Sequence, residues 1–310
     1  MVKDETETTI PTSYYPGAKF AEQITIAGGV SCYAIWENYK SEKGGEFHTK
    51  MDLSTPELNV LPLQRTPWYT ASTVSECDPK RLWNEVKNFI AEHVDLADER
   101  LYDVLTAWVF ATWIPERFSV IGYLKINAPK ASGKTRLMET LRQISYRGIK
   151  SSDVSNSAMY RIIEKWHPTL FFDESEIYNK GLREDIQGLF NSGYSRGDFI
   201  IRVKDPQTDE LSFFETYGFK VFAGTETLRD TLESRCIHVN MMKNTRPVRF
   251  KVDDVSAELL RGKLLWFRFK QLEYLEKNER STEMPSELSF ADGRFSELFA
   301  CLVEICKVIG

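Results

Sequence analysis

The run Ala128-Pro129-Lys130-Ala131-Ser132-Gly133-Lys134-Thr135 follows a strand-like FSVIGYLKIN that begins at Phe118, and it precedes a helix-compatible RLMETLRQI. That order suits phosphate chemistry. Backbone N–H groups of a tight turn and the first turn of a helix converge on phosphate oxygens, while Lys134 supplies a point charge and Thr135 offers a hydroxyl to Mg2+. The pattern G-x-x-x-x-G-K-[ST] expects glycine where Ala128 stands. Alanine can take that place as long as its φ stays negative.

A second segment, Thr169-Leu170-Phe171-Phe172-Asp173-Glu174, is an apolar run ending in two acids. In a phosphate-loop ATPase a buried strand delivers the first acid, here Asp173, to the Mg2+ shell, and the second, Glu174, orients the attacking water as general base. Taken alone, such a pair is also what a solvated strand end looks like. Lys220-Val221-Phe222-Ala223-Gly224-Thr225 is another apolar strand closing on a small polar residue, and Thr225 stands where a side chain would sense the γ-phosphate. Next, the stretch from Leu228 to Val239 puts Arg235 after a short helix and just before a strand. A lone surface arginine is by default an ion-pair partner. In this order Arg235 looks like an arginine finger, a cation reaching the γ-phosphate of a neighbouring subunit.

The succession APKASGKT, TLFFDE, VFAGT, LESRCIHV resembles the AAA+ ATPases. The step from Leu232 to Arg235 is similar to one in the superfamily 3 helicases of DNA viruses and in the ATPase modules of plasmid and phage primases. The resemblance spans Phe118 to Met242 and weakens in the helical region beyond. The run from Asn191 to Gly197 is also similar to a stretch of the primase-associated group. The resemblance implies an α/β fold, a P-loop NTPase three-layer core with a parallel sheet, and an Mg2+-dependent ATPase that binds ATP. It further implies a ring-shaped homo-oligomer, a hexamer, that works as a helicase or translocase on DNA in the replication of a plasmid, virus or other mobile element. Lys134 would then neutralise the β- and γ-phosphates, Thr135 and Asp173 would hold Mg2+, and Arg235 would act in trans.

Between the second and third motifs, Phe199–Lys204 and Leu211–Thr216 read as two strands of a hairpin around an acidic tip. In superfamily 3 helicases a hairpin of the core enters the central pore and grips DNA. The resemblance therefore assigns Lys204 and Arg202 to DNA phosphates, with a plain structural hairpin or a subunit contact as alternatives. Ala291-Asp292-Gly293 reads as a turn opening a helix at Arg294, where AAA+ proteins often place a second sensor that closes on the nucleotide. Arg294 is otherwise an ordinary helix-start residue. His167 and His238 flank or lie in strands and read as packing or solvent residues.

These motifs need elements to position them. Residues 1–75 read as a polar leader and a small β-rich region, with strand-like runs at Gln23–Ile26, Val30–Ile35, Leu58–Leu63 and Trp68–Thr70. Residues 76–116 read as helical: Asp78 as N-cap, Pro79 in the first turn, then Leu82, Val86, Phe89 and Ile90 on one face, followed by a helix from Asp98 to Trp113 that is apolar around much of its circumference. Residues 117–244 are the ATPase core and 245–310 a helical lid. The helical pattern runs to within a residue of the last position, which is expected of a piece of a longer protein.

Composition bounds the alternatives. The 310 residues suggest about two domains. With 40 Lys and Arg against 45 Asp and Glu, a formal net charge of −5, no global positive field gathers nucleic acid, so any DNA contact must be local. Five scattered cysteines without a Cys-x-x-Cys pair read as reduced thiols with no metal site. Met1–Pro16 is too polar for a secretory signal and the apolar Leu105–Ile114 too short for a membrane span, so the expectation is a cytoplasmic protein without a membrane partner. An ATPase that remodels a protein client or acts as a regulatory switch is the alternative function, and the acidic balance suits it. A nucleotide-binding module without turnover is a third, against which Glu174 stands.

Overall fold

The computed structural model describes residues 19–26, 30–37, 46–50, 71–129, 131–150, 155–173, 183–205, 210–225, 228, 230–277, 284–290 and 292–310. Three antiparallel strands come first: β1 (Lys19–Ile26), β2 (Val30–Glu37) and β3 (Glu46–Lys50). Two of the strand-like runs expected from the sequence fall within β1 and β2. Leu58–Leu63 and Trp68–Thr70 lie outside the described residues.

Helix α1 (Pro79–His93) starts where its cap chemistry puts it, with the Asp78 carboxylate accepting from the Arg81 N–H at 2.8 Å. Helix α2 (Arg100–Trp113) buries most of its circumference. Its two tryptophans anchor the core through their indole N–H groups, Trp108 to the Gly122 carbonyl at 3.0 Å and Trp113 to that of Ile144 at 2.9 Å.

Next come β4 (Tyr123–Asn127), α3 (Lys134–Ile144), β5 (Ile149–Lys150), α4 (Asn156–Trp166), β6 (Leu170–Asp173) and α5 (Arg183–Ser192). A hairpin of β7 (Phe199–Asp205) and β8 (Glu210–Glu215) leads to β9 (Lys220–Gly224), the short α6 (Asp230–Glu233) and β10 (Cys236–Asn240). Two long helices close the chain, α7 (Asp254–Lys277) and α8 (Gly293–Ile309). The main sheet is parallel throughout, in the order β10-β4-β9-β6-β5. Its strands are apolar almost without interruption, as expected of strands covered on both faces. Helices α1 and α2 pack on α7 and α8, so the two helical regions that the sequence separates by more than a hundred residues meet in the fold.

The strand expected from Phe118 is shorter than its apolar run. Residues 118–121 pair elsewhere: Ile121 N–H donates to Tyr194, Arg196 N–H donates to Ser119, and Val120 bridges Ser195. Gly122 then passes where no side chain fits, since a Cβ there would lie 2.8 Å from Ile237 Cδ1 and 3.0 Å from the Leu298 carbonyl. That close approach seats α8 against the amino end of β4.

A buried ion cluster ties the small sheet to the rest. Glu22 bonds Arg147 at 2.6 Å and Arg268 at 2.9 Å and accepts from the Tyr146 hydroxyl at 2.5 Å, while Arg268 also grips Glu116 at 2.6 Å. Burial alone would raise the Glu116 carboxyl, but the Arg268 charge and hydrogen bonds hold it below the usual range.

Lys220, at the start of β9, is a second buried charge site. Its amine donates to the carbonyls of Thr216 at 3.0 Å and Gly218 at 2.8 Å, and a neutral amine still has two N–H groups for them. Desolvation lowers its pKa to about 7. Above pH 7 the unfolded chain therefore keeps a proton that the folded chain has shed, so stability rises with pH. The buried thiols Cys236 and Cys301 are held up by burial and reverse the trend once the unfolded thiols ionise near pH 9. The melting temperature is expected to climb from about pH 7 to 8.5, and a pH series on Lys220→Met, which should be flat in that window, checks it.

Candidate nucleotide site

The phosphate loop leaves the carboxyl end of β4. Ala128 is buried there and is absent from the described non-glycine residues with positive φ, so the alanine in the first glycine position fits without strain. The strain lies three residues on. Ala131 (φ 61°) and Gly133 (φ 87°) both adopt the left-handed conformation, and Gly133 caps α3 in that state. Alternation of this kind turns successive backbone N–H groups toward one side, as in anion-binding concavities. The buried Ser132 hydroxyl donates to the Pro129 carbonyl at 2.7 Å and closes the turn. Lys130 lies outside the described residues.

Lys134 opens α3, and its Nζ stands 3.4 Å from an Asp173 carboxylate oxygen at the end of β6. One strand, β9, separates β4 from β6, so the ends of three neighbouring strands deliver the loop, Thr225 and Asp173 to one edge of the sheet. A cleft of about 830 Å³ opens there, lined by the loop together with Thr135, Arg136, Glu139 and Thr225. Thr135 and Thr225 are both exposed to it. The size is that of a small-molecule site, and the residue types fit a nucleoside triphosphate: left-handed loop residues, a helix start and a lysine for phosphates, and the Thr135 hydroxyl and the Asp173 carboxylate as oxygen ligands a divalent cation could take. Glu174 lies outside the described residues.

Lys150 also reaches Asp173, at 3.6 Å. Sequence reasoning missed it, because β5 is only two residues long and no apolar run announces it. Arg136 and Glu139 were missed too, although their positions one and four residues past Thr135 put them on the first turns of α3.

Arg235 and Arg294 occupy the opposite edge. Arg235 precedes β10, whose register against β4 runs from Cys236↔Tyr123 to Asn240↔Asn127. Five residue steps of roughly 3.3 Å, about 16 Å, thus separate it from the level of the phosphate loop, more than an arginine side chain spans. Its guanidinium stacks on Tyr194 at 4.5 Å, bonds Asn191 at 3.3 Å and donates to the Thr231 carbonyl. Arg294 lies over the same tyrosine at 5.4 Å and pairs with Glu297 at 2.8 Å. The sequence expectation makes Arg294 a second sensor that closes on the nucleotide; within this chain α8 packs against the amino end of β4 and carries Arg294 to the edge away from the cleft.

The hairpin forms as expected, and Arg202 reaches across to α4. It donates to the Tyr160 hydroxyl on α4 at 2.8 Å and stacks on that ring at 5.0 Å. The same side chain remains exposed. The Lys204 side chain lies outside the described residues. His167 ends α4 in the left-handed conformation, and burial lowers its pKa; His238 contacts Asn127 at 3.1 Å.

No protein-family model matches the chain, and no curated protein matches it. Among solved structures the chain is similar to the JCV helicase bound to N-(4-(2-(thiazolo[5,4-c]pyridin-2-yl)phenoxy)phenyl)acetamide, at 15% identity and TM-score 0.31 over 73% of this chain and 59% of that one. A second structure of JCV helicase is similar at 15% identity and TM-score 0.31, over 66% of this chain and 70% of that one. The active helicase Cch of SCCmec type IV is similar at 10% identity and TM-score 0.32, over 94% and 70%. The chain thus spans 59% of the length of the first of these. Among the described residues no helix is long and apolar enough to cross a membrane.

Proposed function

We propose that this chain is an Mg2+-dependent ATPase with an AAA+-like core and a helical lid, which assembles head to tail into a hexameric ring and couples hydrolysis to movement on DNA in the replication of a plasmid, virus or other mobile element. The observation that carries the reading is the meeting of Lys134 and Asp173 at 3.4 Å beside a loop with two left-handed residues. When bound, Mg2+ would supply charge neutralisation at the triphosphate. The chain's own residues do the positioning: Lys134 and the loop N–H groups hold phosphate oxygens, Thr135 and Asp173 hold the metal, Glu174 orients water, and Thr225 senses the γ-phosphate. Phosphoryl transfer asks for little more than this.

A protein client is the second reading, favoured by the engagement of Arg202 with Tyr160. A salt titration of DNA binding separates the two, since a DNA motor gives a clear negative salt slope and a protein remodeller none. ATP turnover tests the core reading. Lys134→Ala and Glu174→Gln are each expected to lower it by about 10²-fold or more. Near-wild-type rates in both would overturn the assignment.

A further inference from the structure

The hairpin carries an apolar face that no described residue of its own chain covers. Phe199, Ile201 and Val203 of β7 and Leu211 and Phe213 of β8 are each about half exposed, and the register pairs Ile201 with Phe213 and Val203 with Leu211, so they form one surface. The opposite face holds Ile200, Arg202 and Phe214, which pack toward the core and α4. Five adjoining exposed apolar side chains on a two-stranded ribbon are an interaction site by their size and continuity. Residues 198–215 carry five acids against two bases, so the hairpin segment is acidic in composition. Nucleic acid is a poor occupant of such a segment.

A complementary surface exists on the same chain. Residues 242–251, MKNTRPVRFK, contain four bases and no acid; Arg246 pairs with Asp95 and Arg249 with Glu92 and Asp253, while Lys243 and Lys251 are exposed and carry the strap's outward charge. Met242 (64% exposed) and Phe250 (85% exposed) project from this strap. Its backbone is fixed: Asp95 accepts from the Thr245 and Arg246 N–H groups, Arg249 pairs with Glu92 at 2.8 Å, and Arg136 donates to the carbonyls of Arg249 and Phe250. Desolvation would raise the Asp95 carboxyl, but these donors hold it below the usual range.

The two surfaces sit on opposite edges of the main sheet. Both ends of the hairpin are anchored at the amino edge, where Arg196 N–H donates to Ser119 and the Tyr217 hydroxyl donates to Phe118. The strap leaves the carboxyl edge, where Met241 N–H donates to Asn127 and the Arg136 contacts lie beside the phosphate loop. Arg235 shares the first edge and the cleft shares the second.

We propose that the apolar face of the hairpin docks on the 242–251 strap of a second copy of this chain. Contact between an amino edge and a carboxyl edge is head to tail, the geometry that builds rings or filaments rather than closed dimers. The same docking turns the edge that bears Arg235 toward the neighbour's cleft. The direction of assembly agrees with the trans role given to Arg235 above and rests on it in that respect, but the contact itself is read out by mass rather than by catalysis.

The test is sedimentation velocity on the full chain, with and without Mg-ATP, using Phe213→Glu on the hairpin and Phe250→Glu on the strap. Wild type is expected to self-associate, and each variant alone to associate at least about tenfold more weakly. An equimolar mixture of the two variants is expected to form heterodimers and nothing larger, because one intact hairpin face then meets one intact strap. A wild type that stays monomeric, variants that associate like wild type, or a mixture that gives no heterodimer would each overturn the proposal. So would loss of oligothymidylate binding by Phe213→Glu with self-association unchanged, which assigns the face to nucleic acid. If either variant loses its cooperative melting transition, Ile201→Asp and Lys251→Glu replace the pair with the same expected outcomes. Lys134→Ala is expected to associate normally, so an inactive enzyme and an absent interface give different results.

Discussion

Arg235→Ala is expected to lower ATP turnover by about 10³-fold or more, the size of effect an arginine finger has on phosphoryl transfer. The change should leave nucleotide affinity close to wild type, because Arg235 sits about 16 Å along the strand direction from its own phosphate loop. Mixing sharpens the prediction. In a blend of Arg235→Ala and Lys134→Ala subunits, some interfaces pair an intact phosphate loop with an intact arginine, and activity should return at those interfaces. Steady-state hydrolysis across mixing ratios measures this directly. If the blend is as inactive as either parent, Arg235 does not act across a subunit boundary. Tyr194→Leu offers a graded companion, since it removes the ring that carries both Arg235 and Arg294 while leaving the guanidinium in place.

Arg268→Met is expected to destabilise the fold by about 3–5 kcal/mol. Arg268 is fully buried and answers two carboxylates, Glu22 at 2.9 Å and Glu116 at 2.6 Å. Its removal leaves Glu22 with Arg147 and the Tyr146 hydroxyl and takes from Glu116 the charge that chiefly holds it ionised. An uncompensated buried charge costs more than the pair contributes, which is why breaking such a cluster is severe even where replacing the whole of it with apolar side chains is mild. Arg268→Lys should recover only part of the loss, because an ammonium cannot make the planar two-pronged contact with Glu116. Urea unfolding at pH 7 reads both, and a loss under about 1 kcal/mol for Arg268→Met would show that the cluster contributes little. The pH dependence has a definite sign. The Glu116 carboxyl is depressed in the folded state, so its contribution is present above the ordinary glutamate range and is lost as pH falls through the folded value. Arg268→Met should therefore flatten the acid limb of the stability curve as well as lower its plateau.

What was legible in the sequence follows from how locally each signal is encoded. The phosphate loop, the Asp78 cap of α1, the acid at the end of β6 and the arginine before β10 are each set by neighbours a few residues away, through turn geometry, capping and strand alternation. Such features survive reading along the chain. Even the exchange of glycine for Ala128 could be judged beforehand, since it turns on one dihedral angle, and the left-handed strain falls on Ala131 instead.

The edges of the sheet were not legible in that way. Strand order is decided by crossovers and by which apolar faces find each other, so sequence spacing does not say that Lys150, on a two-residue strand, ends beside Asp173. Nor does it say that Arg294 lands with Arg235 on Tyr194, away from the cleft its motif suggested, because that depends on Gly122 letting α8 approach the amino end of β4. That Arg202 meets Tyr160 was hidden for the same reason, a helix from elsewhere in the chain supplying the acceptor. Glu22 and Arg268, 246 positions apart, meet only when the small sheet and α7 pack on the core. By itself the sequence determined which residue types could handle phosphate and where along the chain they fall. The tertiary structure decided which of them share an edge, since an ion pair or a stacked ring depends on distance in space, and long-range packing alone sets that distance.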